Sequence, residues 1–232
     1  DYQPVRNQLG GGMMKKAMEN RHSVWIRICH WINMISITLL ILTGFYIHAP
    51  LSFRLFHNMD NPRMLHFCMA YVLCAGVVLR LYYAFATGDW RNIIFDVKTD
   101  FKKLPSMIKY YTFLAKEHPY YGKYNPGQKA MYTGVFVMAI IQIITGFIMY
   151  MPNTFMGLGG LLGGLIAVRV IHYVINWVLV LCIVAHVYLD ISEGIPVLKS
   201  MFTGKIPADF DHGVHGVFDE PVVHGEDKGV SI

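Results

Sequence analysis

Histidine is the side chain in this sequence best placed to do chemistry. There are 11 of them. Four, His30, His66, His172 and His186, fall within the apolar stretches delimited below as membrane spans. An ionisable group in such a stretch marks a functional position by default. His172 and His186 are fourteen residues apart, which in a helix is about 40° from whole turns and about 21 Å of axial rise, so both share a face. What they can do depends on the depths of the other two, and therefore on the elements that carry them.

The chain of 232 residues is 54% hydrophobic and 15% charged, whereas a soluble domain has about a quarter charged residues. Disordered, collagen-like and ordinary soluble enzyme classes are excluded. No Asp, Glu, Lys or Arg lies between Arg27 and Arg54, between Lys129 and Arg169, or from Val170 to Leu189. A helix needs about 20 mostly apolar residues to cross a bilayer. Four spans are expected, near 24–47, 64–87, 129–151 and 166–189. The fold class is all-α integral membrane, a four-transmembrane-helix bundle. The first span is too long for a signal-peptide core, and no small-residue cleavage site follows it.

Lys and Arg near the span ends orient the bundle. The segment before span one (Arg6, Lys15, Lys16, Arg21, Arg27), the 88–129 connection and the tail carry most of them, against Arg54, Arg63 and Arg169 on the other side. Both termini and the long connection are expected in the cytoplasm. The formal net charge of +5 then reflects topology and requires no nucleic acid.

With that orientation the histidines form two layers. His66 and His172 stand near the outer ends of spans two and four, and His30 and His186 near the inner ends of spans one and four. Two imidazoles from different helices at one depth suit a haem iron with two histidine ligands, and two such layers make an electron path across the bilayer. Zinc would want three or four protein ligands at one depth. An isolated core histidine bonded to a carbonyl explains one such residue better than four in paired layers. Arg80, fourteen residues after His66, reaches the inner layer, where it can pair with haem propionates or snorkel to the interface. Gly44 reaches the outer layer and Gly146 a similar depth, each offering bare backbone for a haem edge to lie against. These glycines belong to a repeat: Ile41-Leu-Thr-Gly-Phe45 recurs as Ile143-Ile-Thr-Gly-Phe147, which helix packing alone can also explain. No Asp or Glu lies in a span core, so a transmembrane proton wire of the kind pumps use is not expected. Cys29, Cys68, Cys74 and Cys182 have no CxxC or CxxCH spacing and read as small buried apolar residues.

Arg27-Ile-Cys-His30-Trp31, Leu65-His66, Arg80-Leu-Tyr-Tyr-Ala-Phe85, Tyr124-Asn-Pro-Gly-Gln128 and His186-Val-Tyr-Leu189 occur in order. Over residues 21–205 the set resembles the b-type cytochrome subunits of membrane-bound respiratory [NiFe]-hydrogenases, whose superfamily includes the cytochrome b subunit of formate dehydrogenase. Arg80–Phe85 with Tyr111–Lys116, and His186–Glu193, look hydrogenase-like; Lys123–Lys129 is closer to the formate dehydrogenase pattern. The resemblance implies two non-covalent haem b groups, with axial pairs His66/His172 and His30/His186, and a menaquinone or ubiquinone site beside the inner haem. Carried over by position, that site comprises Asn125, Gly127 and Gln128. Read from the residues, an Asn-Pro-Gly turn opens the third helix there and leaves Gln128 able to bond a quinone carbonyl. Glu193 or Asp190 could pass protons, although Asp190 also reads as a solvated helix end. Implied partners are the small (iron–sulfur) and large hydrogenase subunits on the periplasmic side, quinone and membrane lipids. A dimer of heterotrimers is among the allowed assemblies. The implied location is a bacterial or archaeal cytoplasmic membrane. H₂ chemistry must lie in partners, because the chain lacks the thiolate sets that iron–sulfur clusters need.

The resulting domain plan is an N-terminal extension over 1–20, whose Gly10–Gly12 run resembles a linker, a dihaem domain over 21–205, and a flexible acidic tail over 206–232. The lysine-rich 88–128 connection carries Phe101, Leu104, Ile108 and Leu114 and is expected to be an amphipathic segment on the inner membrane surface, roofing the quinone pocket. The glycine-rich 152–165 loop is expected to be ordered by a partner. Alternatives are the formate dehydrogenase subunit, a free-standing membrane cytochrome b, and a haem-free transporter or scaffold with structural histidines.

Overall fold

A chain crossing hydrocarbon must satisfy its backbone N–H and C=O groups internally, so its uncharged stretches become helices. The computed structural model describes residues 18–50, 55–112, 114–115 and 126–207, without the side chains of Asn92 and Glu193. Its elements in chain order are β1 (Met18–Asn20), α1 (Val24–His48), α2 (Asp60–Thr87), α3 (Trp90–Ile93), α4 (Asp100–Tyr111), α5 (Pro126–Tyr150), α6 (Met156–Leu161), α7 (Gly164–Glu193), α8 (Ile195–Thr203) and β2 (Lys205–Pro207). Helices α1, α2, α5 and α7 are long and apolar enough to cross a membrane. Leu42, Val78 and Leu181 stand more than half exposed on their outward faces, where lipid covers them. Cys68 is also exposed, so it is not the buried residue expected. The chain is an all-α integral membrane bundle with one small strand pair added.

Packing is concentrated within two antiparallel hairpins, α1 with α2 and α5 with α7, and is far less extensive between them. The seam between the hairpins is therefore where a flat group can lie.

Both described chain ends meet at one end of the bundle, the near end. There β1 pairs antiparallel with β2 in the register Met18↔Pro207, Glu19↔Ile206 and Asn20↔Lys205. This pairing joins residues assigned above to the extension and the tail. Gly194 separates α7 from α8 at φ 110 and ψ 156, a conformation essentially open only to glycine, and the turn folds α8 back onto the foot of α1. Trp31 Nε1 donates to Met201 O at 3.1 Å and Arg27 donates to Phe202 O. The Trp31 and Phe202 rings pack at 4.5 Å.

The connection after α2 lies against the foot of α5. Asp100, 3% exposed, accepts from Lys129 Nζ at 3.3 Å and from the Asp96 backbone N–H at 2.9 Å. Phe95 N–H donates to Thr133 Oγ1 at 2.9 Å. Phe101 and Ile108 of α4 stay exposed, as an amphipathic surface helix requires. Asp96 accepts from Lys98 N–H and Thr99 Oγ1, bonds that hold its carboxyl below the usual carboxylate range. At the far end, α6 occupies the glycine-rich loop, and consecutive left-handed residues Gly163 and Gly164 (φ 91 and 89) turn the chain into α7.

Candidate cofactor site

Near the far end the seam opens into a cavity of about 500 Å³ lined by all four spanning helices. Cofactor sites generally occupy about 300–1,000 Å³. His66 and His172 both line it, with Gly44 and Gly146. A Cβ on Gly44 would stand 3.5 Å from His66 Cε1, and one on Gly146 would stand 3.7 Å from His172 Cε1. Each glycine thus leaves bare backbone beside one imidazole.

Each histidine also has a threonine partner on the neighbouring helix of its own hairpin. Thr43 Oγ1 lies 2.9 Å from His66 Nδ1, and Thr145 Oγ1 lies 2.8 Å from His172 Nδ1. Sequence reasoning missed both threonines, although each stands beside a glycine in the repeat. Gln142 Nε2 donates to His172 O at 3.0 Å, while its Oε1 is buried without a partner among the described residues. Arg63 and Arg169 also line the cavity. His48 stacks on Tyr173 at 4.2 Å.

The near layer is built differently. The His30 and His186 rings lie 6.3 Å apart, centre to centre. A metal–imidazole bond is about 2 Å and the ring centre lies about 1 Å beyond the nitrogen, so two imidazoles on one metal stand about 6 Å apart. His30 Nδ1 is buried without a partner among the described residues. His186 Nε2 meets the Asp190 carboxylate, one turn on, at 3.3 Å. Asp190, with a side chain 20% exposed, is therefore a histidine partner and not a free solvated helix end. Arg80 donates from Nη2 to Asp89 at 2.8 Å, and its Nη1 is buried without an acceptor among the described residues, an opening that a carboxylate would fill. These open polar atoms and the ring spacing fit a bis-histidine haem.

Of the residues expected to meet quinone, Asn125 lies outside the described residues, as does the side chain of Glu193. Gly127 N–H donates to Met107 Sδ of α4 at 3.1 Å. Gln128, in the first turn of α5, is 9% exposed, so this turn is enclosed.

Comparison with known proteins adds to this geometry. The sequence profile described as prokaryotic cytochrome b561 matches residues 21–204. The chain is 33% identical over 204 residues to the probable Ni/Fe-hydrogenase B-type cytochrome subunit of Azotobacter vinelandii, covering 78% of this chain and 83% of that protein. It is 30% identical over 205 residues to the protein of the same name from Bradyrhizobium diazoefficiens, covering 78% and 82%. A probable Ni/Fe-hydrogenase 1 B-type cytochrome subunit of Escherichia coli K12 is 27% identical over 207 residues, covering 77% and 86%.

Proposed function

Because this chain belongs to the prokaryotic cytochrome b561 family, we propose that it anchors a respiratory [NiFe]-hydrogenase in the membrane and carries electrons from periplasmic H₂ oxidation to the quinone pool. The observation that carries the reading is the pairing of histidines at two levels. His66 and His172 share one cavity, and His30 and His186 stand 6.3 Å apart. Names carrying "Ni/Fe-hydrogenase" among similar proteins support the choice of donor.

Two haem b groups, held by His66 with His172 and by His30 with His186, would supply one-electron relay between the membrane faces. The chain's own residues do the rest. Gly44 and Gly146 keep Cβ atoms away from the far-layer imidazoles. Arg80, already fixed by Asp89, presents its remaining N–H groups to a propionate. Gln128, with Asn125 and Gly127, orients a menaquinone or ubiquinone carbonyl at the foot of α5, and Glu193 passes protons to that face. The basic residues of the near end support a cytoplasmic position for it. Protons are then taken up on the side opposite H₂ oxidation, which builds a proton-motive force. The large and small hydrogenase subunits attach at the far end.

A pyridine haemochrome assay normalised to protein tests the cofactor reading, and two protohaems per chain are expected. Adding H₂ and then formate to the native complex identifies the donor. Haem reduction by formate and not by H₂ would replace the hydrogenase partner with a formate dehydrogenase. A folded chain without haem would overturn the electron-transfer reading.

A further inference from the structure

We propose that Thr43 and Thr145 are twin positioning residues of the far layer, each accepting a hydrogen bond from Nδ1 of one axial histidine and thereby aiming its Nε2 at the iron. This rests on the proposed haem site at His66 and His172. Each hydroxyl carries one hydrogen. In Thr43 it is donated to Leu39 O at 2.6 Å, and in Thr145 to Ile141 O at 2.7 Å. The oxygen that meets each ring, at 2.9 Å for His66 and 2.8 Å for His172, must then accept. The donor is Nδ1–H, and the lone pair of each neutral imidazole lies on Nε2. The bond made by one ring nitrogen fixes which nitrogen a metal takes.

The two braces are the same device built twice. Thr43-Gly44 on α1 serves His66 on α2, and Thr145-Gly146 on α5 serves His172 on α7. Thr43 is 4% exposed and Thr145 is 1% exposed, so water does not compete for the bond. The adjacent glycine clears the ring's flank while the threonine fixes its rotation. The described contacts give neither near-layer histidine a hydroxyl of this kind: His186 meets Asp190, and His30 Nδ1 has no partner.

An acceptor on Nδ1–H makes the imidazole a stronger donor to ferric iron. Replacing threonine by valine keeps the shape and removes only the hydroxyl. The test is a potentiometric titration of the full chain purified in detergent, for Thr43→Val, Thr145→Val, the double variant and the two Thr→Ser variants. His172→Ala identifies the far-layer signal by its loss.

Each valine variant is expected to raise the far-layer potential and leave the near-layer potential unmoved. The double variant should shift by about the sum, and serine should restore the wild-type value. Selective loss of the far-layer haem in the valine variants, with retention in the serine variants, also supports the brace. An unmoved far-layer potential in both valine variants overturns it, as does serine behaving like valine. Two haems in the wild type with unmoved potentials defeat the brace alone. A haem-free wild type, or both haems retained in His172→Ala, defeats the site and the brace together.

Discussion

The two histidine layers solve one problem by different means. In the far layer each histidine is held by a neutral hydroxyl from its own hairpin, 2.9 and 2.8 Å away, and all four spans close around one cavity. In the near layer His186 meets an ionisable carboxylate on its own helix at 3.3 Å, and His30 sits beneath the clasp that α8 makes with Trp31. The charged side chains lining the far-layer cavity are the cations Arg63 and Arg169, with no carboxylate among the described lining residues. The near layer adjoins a surface rich in Asp, Glu and Lys, where charge is tolerated. On the proposed function, the difference would separate a relay point braced by neutral hydroxyls from one beside an ionisable carboxylate.

His172→Ala tests this contrast most severely. Haemochrome content should fall from two haems to one, and H₂-dependent quinone reduction should be lost, while the partner still reduces an artificial dye. Retention of both haems would remove the far layer from the scheme. Gly44→Leu comes next: the leucine would fill the space beside His66, so far-layer haem should fall while the His30/His186 haem stays. Loss of both haems equally would mean that the layers are not separable.

Lys129→Ala probes the near end through stability. It strands buried Asp100, and breaking a buried pair costs about 3–5 kcal/mol. Asp60→Ala at the exposed Arg63 pair (side chains 53% and 88% exposed) should cost under about 1 kcal/mol. Thermal unfolding in detergent compares the two, and equal losses would mean that the buried Lys129–Asp100 pair holds the connection to α5 no more firmly than an exposed pair would. Gln128→Ala should slow quinone reduction by about tenfold, the worth of one hydrogen bond of about 1.4 kcal/mol, with both haems kept; unchanged quinone kinetics would take Gln128 out of that site. The smallest effect is expected from Asp190→Asn, which should raise the near-layer midpoint potential and leave the far layer unmoved. A shift in the far layer instead would invert the comparison.

Much of this architecture could be read from residue order. Uncharged runs located all four spanning helices to within a few residues, because burial in lipid is a local property of composition. The spacing of His172 and His186 on one helix gave the two depths. The threonine braces were harder to see. A Thr in an apolar helix ordinarily bonds its own i−4 carbonyl, and both of these do, so only the neighbouring helix reveals the second bond. Asp190 was legible in principle, four residues after His186, but proximity to the interface made solvation the simpler expectation. The β1–β2 pair left no trace in the sequence, since Met18–Asn20 and Lys205–Pro207 have no alternating pattern and pair only because α8 folds back. Gly194 was the available sign of that fold.

The β1–β2 pair bears on how the molecule is made. Met18–Asn20 leaves the ribosome first of the described residues and cannot find its partner until Lys205–Pro207 emerges, after all four spans have been synthesised. Each hairpin meanwhile contains a complete Thr-Gly and His set, so the far-layer imidazoles can be aimed while the seam is still open. Closure of the ribbon must therefore follow synthesis of all four spans. A cofactor between the hairpins can meet imidazoles from both only once α7 has been made, shortly before the ends are tied.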